Sequence, residues 1–201
     1  MKPGSLLSTT TELLNGLHQP GNRAAWDEFD RRYRPVLIGF LRRMGLDEAD
    51  AADVAQETLA SFVQAYREHK YDREQGRLRS WLIGIARCRL ADLRRDAGRR
   101  RVTRGESAIV GIPEDVDTEA LWELEERRFI FEQAIQELRT TTRFNERTLE
   151  AFERVVLKQE PIESVAADLG LTSQEIYNAK NRVVERLRDI LKRYETALAD
   201  G

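Results

Sequence analysis

Apolar residues recur at the helical period through two consecutive segments between Asp47 and Arg101, and the charge on the polar faces changes from negative to positive between the segments. The first apolar stripe consists of Val54, Leu59, Phe62, Val63 and Tyr66. The second consists of Leu82, Ile85, Ala86, Leu90 and Leu93. An apolar stripe opposite a charged face is typical of a helix that packs on one side. The pattern predicts two adjoining helices whose exposed faces differ in charge.

The exposed face of the first predicted helix carries acidic side chains. Asp50, Asp53 and Glu57 stand at positions i, i+3 and i+7, and Gln56 lies beside them. Residues at this spacing share one face of a helix. The simplest interpretation is a solvated acidic face, and the alternative is a surface that binds a partner.

The second predicted helix surrounds its apolar stripe with guanidinium groups. Its arginines are Arg87, Arg89, Arg94, Arg95, Arg99, Arg100 and Arg101. Contacts to phosphate dominate the affinity of proteins for nucleic acid, so this face is predicted to bind phosphate. The net charge of −2 does not argue against this, because the two signs are segregated along the chain.

Length and composition favour a soluble, helix-rich protein of two small domains. The 201 residues are 41% hydrophobic and 34% charged, with five prolines. No apolar run approaches the roughly 18 residues of a membrane span, and residues 1–19 lack the apolar core of a signal peptide, so no membrane insertion and a cytoplasmic location are expected. The single cysteine, Cys88, excludes an intramolecular disulfide and cannot by itself form a cysteine zinc site.

The predicted organisation is an N-terminal tail or short helix at 1–20, a helical domain at 21–101, a linker at 102–118 and a second helical domain at 119–197. The linker is acidic and punctuated by glycine and proline, which suits a flexible tether. In the first domain an aromatic stripe is predicted to be core; it includes Trp26, Phe29 and Tyr33. Gly45 is predicted to end that helix.

The second domain begins with apolar residues at helical spacing: Leu121, Leu124, Phe131, Ile135 and Leu138. Helices are then predicted over 147–158 and 162–169, the latter followed by Gly170 as its C-terminal cap. The sequence Thr-Ser-Gln-Glu from Thr172 to Glu175 has the spacing of a capping box and predicts the start of the last helix.

The last two predicted helices have the pattern of a helix-turn-helix. A small residue, Ala166, precedes Gly170 by four positions and an aliphatic one, Ile176, follows it by six, so the two helices can cross closely and be anchored. The exposed series is polar: Ser173, Gln174, Tyr177, Asn178, Asn181 and Arg182. Such side chains bond base edges or phosphates when a helix lies in the major groove. An ordinary polar helix face is the alternative.

In this order, these segments resemble the extracytoplasmic-function (ECF) sigma factors, small two-domain initiation subunits of bacterial RNA polymerase in the sigma-70 superfamily. GNRAAWDEFDRRYRPVL is similar to the first helix of the family, DVAQETLASFVQAYR to its DxxQExF-type helix, and GRLRSWLIGIARCRLADLRR to the helix that recognises and opens the promoter. The terminal helix-turn-helix resembles the reader of the minus-thirty-five element. The resemblance covers 21–101 and about 121–194, and implies an all-α fold with a sigma region 2 bundle and a sigma region 4 helix-turn-helix.

The resemblance implies partners and roles for these residues. Core RNA polymerase would be bound through the clamp helices of its largest subunit and the flap of the second subunit, with promoter DNA as the other partner and an anti-sigma factor as a possible one. The polymerase-binding residues would be Asp50, Asp53, Gln56 and Glu57. The minus-ten residues would be Arg77, Arg79, Ser80, Trp81, Arg87, Cys88, Arg89, Asp92 and Arg95. The minus-thirty-five residues would be Thr172, Ser173, Gln174, Tyr177, Asn178, Lys180, Asn181 and Arg182.

Within this set Trp81 is expected to be core rather than a base-stacking platform. Two positions depart from the family pattern: Cys88 stands where many members have asparagine, and Ala179 where an arginine is usual. The first bears on which base is selected, and the second predicts a weaker or altered reading of the upstream element.

The function predicted is non-enzymatic, with no catalytic residue, cofactor or metal. One alternative is a free-standing helix-turn-helix regulator, which explains 166–182 but leaves the paired acidic and basic helices unexplained. A remote alternative is an all-helical magnesium-dependent nucleotide hydrolase with Asp50, Asp53 and Glu57 as ligands. Such a site needs carboxylates from a second helix, and no matching acidic pair stands out in the apolar helix 26–44.

Overall fold

The computed structural model describes residues 10–19, 21–72, 76–103, 117–141 and 144–199, and describes side chains for all of these except 10, 97–103, 141 and 197–199. Every regular element in those ranges is helical, which confirms the predicted all-α class. The helices are α1 (Thr10–Leu17), α2 (Arg23–Arg43), α3 (Glu48–Arg67), α4 (Leu78–Thr103), α5 (Thr118–Thr141), α6 (Glu146–Phe152), α7 (Ile162–Leu169) and α8 (Ser173–Ala199).

The contacts divide the described chain into two compact units. The first unit ends at Phe129 and the second runs from Ile130 to Ala197, so the division falls within α5. Most of the predicted linker, residues 104–116, lies outside the described residues. The predicted second domain begins at residue 119, whereas residues 118–129 of α5 pack within the first unit.

An aromatic cluster between α2 and α3 forms the core of the first unit. The rings of Phe29 and Phe62 are stacked with centroids 5.2 Å apart, and both side chains are fully buried. Tyr66 and Tyr71 extend the cluster at 5.8 and 5.5 Å from Phe62. Truncating a buried phenylalanine to alanine costs about 3–5 kcal/mol, so this cluster is a major source of stability. The predicted stripe of α3 is buried throughout, whereas Trp26 on α2 is only half-buried.

Polar caps and a glycine define the ends of the first long helices. The Asn22 side chain accepts a hydrogen bond from the Ala25 amide at 3.2 Å, and Asp47 accepts one from the Asp50 amide at 2.9 Å, so each satisfies an amide that the helix leaves without an internal partner. Gly45 follows α2 with a φ of +94°, a conformation that side chains with a Cβ rarely adopt. The predicted stop at Gly45 is confirmed.

The first half of α5 packs against α2 through residues that the predicted apolar pattern omitted. Trp122 is fully buried, and its ring lies 6.1 Å from that of Phe40 on α2. Leu124, a member of the predicted pattern, is 47% exposed. The buried side of this half-helix is therefore not the side that carries Leu124. It is the side that carries Trp122, because this large side chain packs against α2.

Glu125 lies in the same contact, and a glycine makes room for it. Its side chain is only 5% exposed and is paired with Arg43. A Cβ on Gly39 of α2 would overlap the Glu125 carboxylate. Gly39 is thus required for the close approach of α5, a role that its place inside a predicted helix did not reveal.

In the second unit the segment predicted as a helix over 147–158 is helical, but its second half widens from α geometry into a π-helical turn at Glu153–Leu157. The guanidinium of Arg154 in this turn pairs with both Glu160 and Asp168 at 2.6 Å. Over five residues, hydrophobic periodicity does not distinguish α-helical from π-helical geometry. The ion pairs of Arg154 join this turn to residues that follow it in the chain.

The helix-turn-helix geometry between α7 and α8 follows the sequence prediction. Gly170 caps α7 in the left-handed conformation, with φ of 62° and ψ of 38°. The Thr172 hydroxyl accepts a hydrogen bond from the Glu175 amide at 3.2 Å, and the Glu175 carboxylate accepts one from the Thr172 amide at 2.8 Å. The capping box is confirmed, and it holds α8 at a fixed start beside α7. Ile176 is fully buried and packs in one cluster with Ala166.

Candidate nucleic-acid interface

The acidic face of α3 is open to solvent. Four side chains share it: Asp50, Asp53, Gln56 and Glu57 are all exposed. The opposite side of the same helix is buried, because Leu59 and Phe62 have no exposed surface. The carboxylates are therefore accessible to a partner, and their binding role stays a prediction.

One of these carboxylates lies beside the neighbouring basic helix. The Arg89 guanidinium on α4 donates a hydrogen bond to the Ser61 hydroxyl at 2.9 Å, and its Nε is 4.0 Å from the Glu57 carboxylate. The Arg89 side chain is 43% exposed, so it remains accessible to solvent while it contacts α3. The predicted polymerase-binding and phosphate-binding faces thus meet at this contact.

The basic face of α4 is exposed over the predicted positions. Its exposed side chains are Arg87, Cys88, Arg89, Asp92 and Arg95. Cys88 is a free thiol. Asp92 pairs with Arg95, whose guanidinium side chain remains 71% exposed. An exposed pair of this kind contributes little to stability, so Arg95 is available to an external phosphate.

Arg94 does not belong to the exposed basic face. Its guanidinium donates a hydrogen bond to the backbone carbonyl of Met44, the residue that follows α2. The sequence grouped Arg94 with the phosphate-facing arginines, but here it ties α4 to the end of α2. The side chains of Arg99, Arg100 and Arg101 lie outside the described part of the chain.

The corner before α4 combines an exposed guanidinium with a packed aromatic pair. Arg77 is exposed. Trp81 is half-buried and meets the ring of Tyr71 edge-on at 5.4 Å. The Tyr71 hydroxyl donates a hydrogen bond to the Gly76 carbonyl at 3.2 Å. The edge-on packing favours the expected structural role for Trp81 over base stacking.

Two other predicted strand-binding residues of this corner already have acidic partners. Arg79 forms ion pairs with Glu119 at 2.8 Å and with Glu123 at 3.2 Å, and its side chain is only 24% exposed. The Ser80 hydroxyl donates a hydrogen bond to Glu119 at 3.1 Å. The acidic start of α5 therefore occupies the polar groups that the sequence assigned to the minus-ten strand.

Burial also affects the carboxyl group of Glu126 on this half of α5. Burial raises the pKa of the Glu126 carboxyl above its usual value, and the nearby positive charge of Arg79 opposes the shift. Desolvation is the larger effect, so the net shift of the Glu126 pKa is upward.

Helix α8 presents the predicted polar face. Its exposed residues, with Thr172 just before it, are Thr172, Ser173, Gln174, Tyr177, Asn178, Asn181 and Arg182, and Lys180 is half-buried. The Lys180 ammonium lies 4.7 Å above the ring of Tyr177. The Gln174 amide donates a hydrogen bond to Asn178 at 3.1 Å. These contacts join several of the candidate base-reading side chains to one another along the face of α8.

Ala179 is on the opposite side of α8 from this face. It is 4% exposed and packs with Ala166 and Ile176 in the helix-turn-helix core. Position 179 is therefore a packing position at which the two helices approach closely, and the predicted effect of alanine on the reading of the upstream element stays a prediction.

Within the described residues, no three His, Cys, Asp or Glu side chains come together as possible metal ligands. Over the same ranges, none of the helices combines the length and hydrophobicity that a membrane crossing requires.

Comparison with known proteins supports the class of protein that the helical units and their charged faces suggest. The sigma-70 region 2 family matches residues 29–100, which span most of α2, α3 and the basic part of α4. The ECF RNA polymerase sigma factor SigD is 31% identical over 181 residues in both Mycobacterium tuberculosis and Mycobacterium bovis, and the match covers 84% of this chain and 78% of SigD. RpoE, an ECF RNA polymerase sigma factor of Cereibacter sphaeroides, is 25% identical over 177 residues, and the match covers 88% of this chain and 91% of RpoE. The chain belongs to the ECF sigma factors of the sigma-70 superfamily, the class of promoter-specificity factors for RNA polymerase.

Sequence reasoning missed the acidic contact on α5 completely. Its residues are Glu119, Trp122, Glu123, Glu125 and Glu126. A signal was present, because Glu119 and Glu123 stand four positions apart on either side of a tryptophan in an otherwise charged segment. The apolar pattern was instead fitted to the leucines.

Proposed function

We propose that the chain binds core RNA polymerase through the carboxylates of α3 and grips the unpaired strand of the minus-ten element through α4 and the corner before it. The observation that carries this proposal is the exposure of opposite charges on adjoining helices of one unit: Asp53 on α3, and Arg87 and Arg95 on α4. Carboxylates complement basic side chains of a protein partner, and guanidiniums complement phosphate.

The second unit is proposed to read the minus-thirty-five element through α8. Its capped start, the exposed Gln174 and Asn178, and the cation–π pair of Lys180 with Tyr177 support this role. Glutamine and asparagine read adenine through paired hydrogen bonds in the major groove.

Capture of core polymerase tests the first part of the proposal. Reversing the charge of Asp53 and Glu57 together, each to lysine, should reduce the amount of core polymerase retained by at least about tenfold, because two favourable contacts become repulsive. The matched control reverses Asp27 and Glu185, which are also exposed but lie on α2 and α8. Equal retention by the two double variants would contradict the proposed docking face.

Promoter opening tests the second part. Replacing Arg87 and Arg95 with alanine should leave polymerase capture unchanged and reduce opening of the start region, measured by permanganate reactivity of unpaired thymines. Intact opening in this variant would contradict the proposed strand grip.

The second candidate function is a helix-turn-helix regulator that does not bind polymerase, which the capped geometry of α7 and α8 also allows. It predicts that wild-type protein binds promoter DNA but retains no core polymerase. Capture of polymerase by the wild type would exclude it.

A further inference from the structure

The corner that would hold the promoter strand is occupied by an acidic face of the same unit. Glu119 and Glu123 lie one helical turn apart on α5, and both pair with the Arg79 guanidinium. Glu119 also accepts the hydrogen bond from Ser80. A carboxylate and a phosphate are bound by the same donors of arginine and serine, so the two ligands compete for this corner.

Apolar burial holds these carboxylates in position. Trp122 lies between them in sequence, is fully buried and packs near Phe40, while Glu125 is buried beside Gly39 and paired with Arg43. The docked tryptophan keeps the acidic side chains close to Arg79 as intramolecular ligands at high effective concentration.

The competing contacts themselves are half-exposed. Glu119 and Glu123 are 44% and 45% exposed, in contrast to the buried Glu125. Exposed ion pairs are weak and are screened by salt, so a polyanion can displace them without disrupting the buried contact. A buried tryptophan combined with exposed carboxylates that a polyanion can displace suits reversible inhibition of strand binding at this corner.

We propose that residues 118–129 of α5 form an autoinhibitory strap, in which Glu119 and Glu123 occupy Arg79 and Ser80 and lower the affinity of the free protein for single-stranded DNA. The proposal rests on the proposed strand-binding function of the corner. Displacing the carboxylates makes Arg79 and Ser80 available to the strand.

The test measures binding of full-length protein to a fluorescein-labelled single-stranded oligonucleotide of mixed sequence by fluorescence anisotropy. The variant Glu119→Gln with Glu123→Gln should bind about fivefold more tightly than the wild type, and the slope of log K against log salt should steepen by about one, the value expected for one additional phosphate contact. The control Glu48→Gln with Glu68→Gln makes the same change in net charge at exposed carboxylates of the same unit.

Arg79 supplies the decisive comparison. Adding Arg79→Ala to the Glu119→Gln, Glu123→Gln variant should abolish the gain in affinity and restore the wild-type salt slope. The strap is refuted if the glutamine variant binds no more tightly than the control, or if the gain survives loss of Arg79; strand binding itself can stand in both cases. If Arg87→Ala with Arg95→Ala also binds like the wild type, the proposed strand grip fails as well.

Discussion

The guanidinium of Arg89 and the hydroxyl of Ser61 are joined by a hydrogen bond of 2.9 Å that links the basic helix to the acidic one. The same guanidinium has the Glu57 carboxylate 4.0 Å from its Nε. A residue proposed to meet DNA and a residue proposed to meet polymerase are therefore neighbours within one unit.

This contact should be energetically weak. A double-mutant cycle with Glu57→Ala and Arg89→Ala should give a coupling free energy below about 1 kcal/mol in urea unfolding, because the Glu57 and Arg89 side chains are 61% and 43% exposed. A coupling above about 2 kcal/mol would show that the pair is structural, and would weaken the case that either side chain is free to meet a partner.

Gly39→Ala should destabilise the first unit. The added Cβ would overlap the carboxylate of Glu125, which is buried and held by Arg43 and so cannot move away freely. Overpacking of this kind costs about 1–3 kcal/mol. Gly84→Ala is the matched control. Gly84 is exposed within α4, and a Cβ there would have no neighbouring atom within 4 Å. Alanine at this position should stabilise the first unit by about 0.5–1 kcal/mol. Thermal unfolding of both variants checks the sign; equal effects would contradict the close approach of α5.

Glu126→Gln should stabilise the first unit at neutral pH. The folded state raises the pKa of this carboxyl through burial, so the folded state binds its proton more tightly than the unfolded state. Stability from this group is greatest below the unfolded pKa and falls as pH rises through the range up to the raised pKa, leaving a cost at neutral pH that glutamine removes. Melting curves from pH 4 to pH 8 should show the gain only at the higher pH. Glu150→Gln, at an exposed site on α6, is the control; a gain at Glu126 that is independent of pH would contradict this account.

Thr172→Ala should destabilise the second unit by about 1 kcal/mol, since the amide of Glu175 loses its cap. Hydrogen bonds from the backbone and the hydroxyl of Thr172 lower the pKa of the Glu175 carboxyl, so their stabilising effect is present at neutral pH and is lost as pH falls through the lowered pKa. Thr172→Ser keeps the hydroxyl and should retain most of the stability. Chemical denaturation at pH 7 compares the three proteins, and a serine variant as unstable as the alanine variant would contradict the capping role.

Ala179→Arg should unfold or strongly destabilise the second unit, by more than about 2 kcal/mol, because the guanidinium would enter the contact between α7 and α8. Asn181→Arg places the same side chain on the exposed face two residues later and should be tolerated. Circular dichroism melts decide the point. A stable Ala179→Arg protein with tighter DNA binding would contradict the packing role of this position.

Local chemistry in the sequence was sufficient for the helices and their ends. Gly45, Gly170 and the Thr172–Glu175 capping box were predictable because their conformations depend on neighbours within four residues. The buried stripe of α3 was predictable for a similar reason, since the period of a helix fixes which residues share a face.

Contacts between distant residues decided the rest. Which side of α5 is buried depends on Trp122 meeting Phe40, and the environment of Arg79 depends on carboxylates forty or more positions away. Ala179 faces the core because α7 lies against it, although its sequence neighbours are polar. The sequence by itself determined the all-α class, the helix ends and the opposite charges of α3 and α4, because these follow from period and composition. Only the tertiary structure decided which of those charges are already paired, because pairing depends on elements brought together through space.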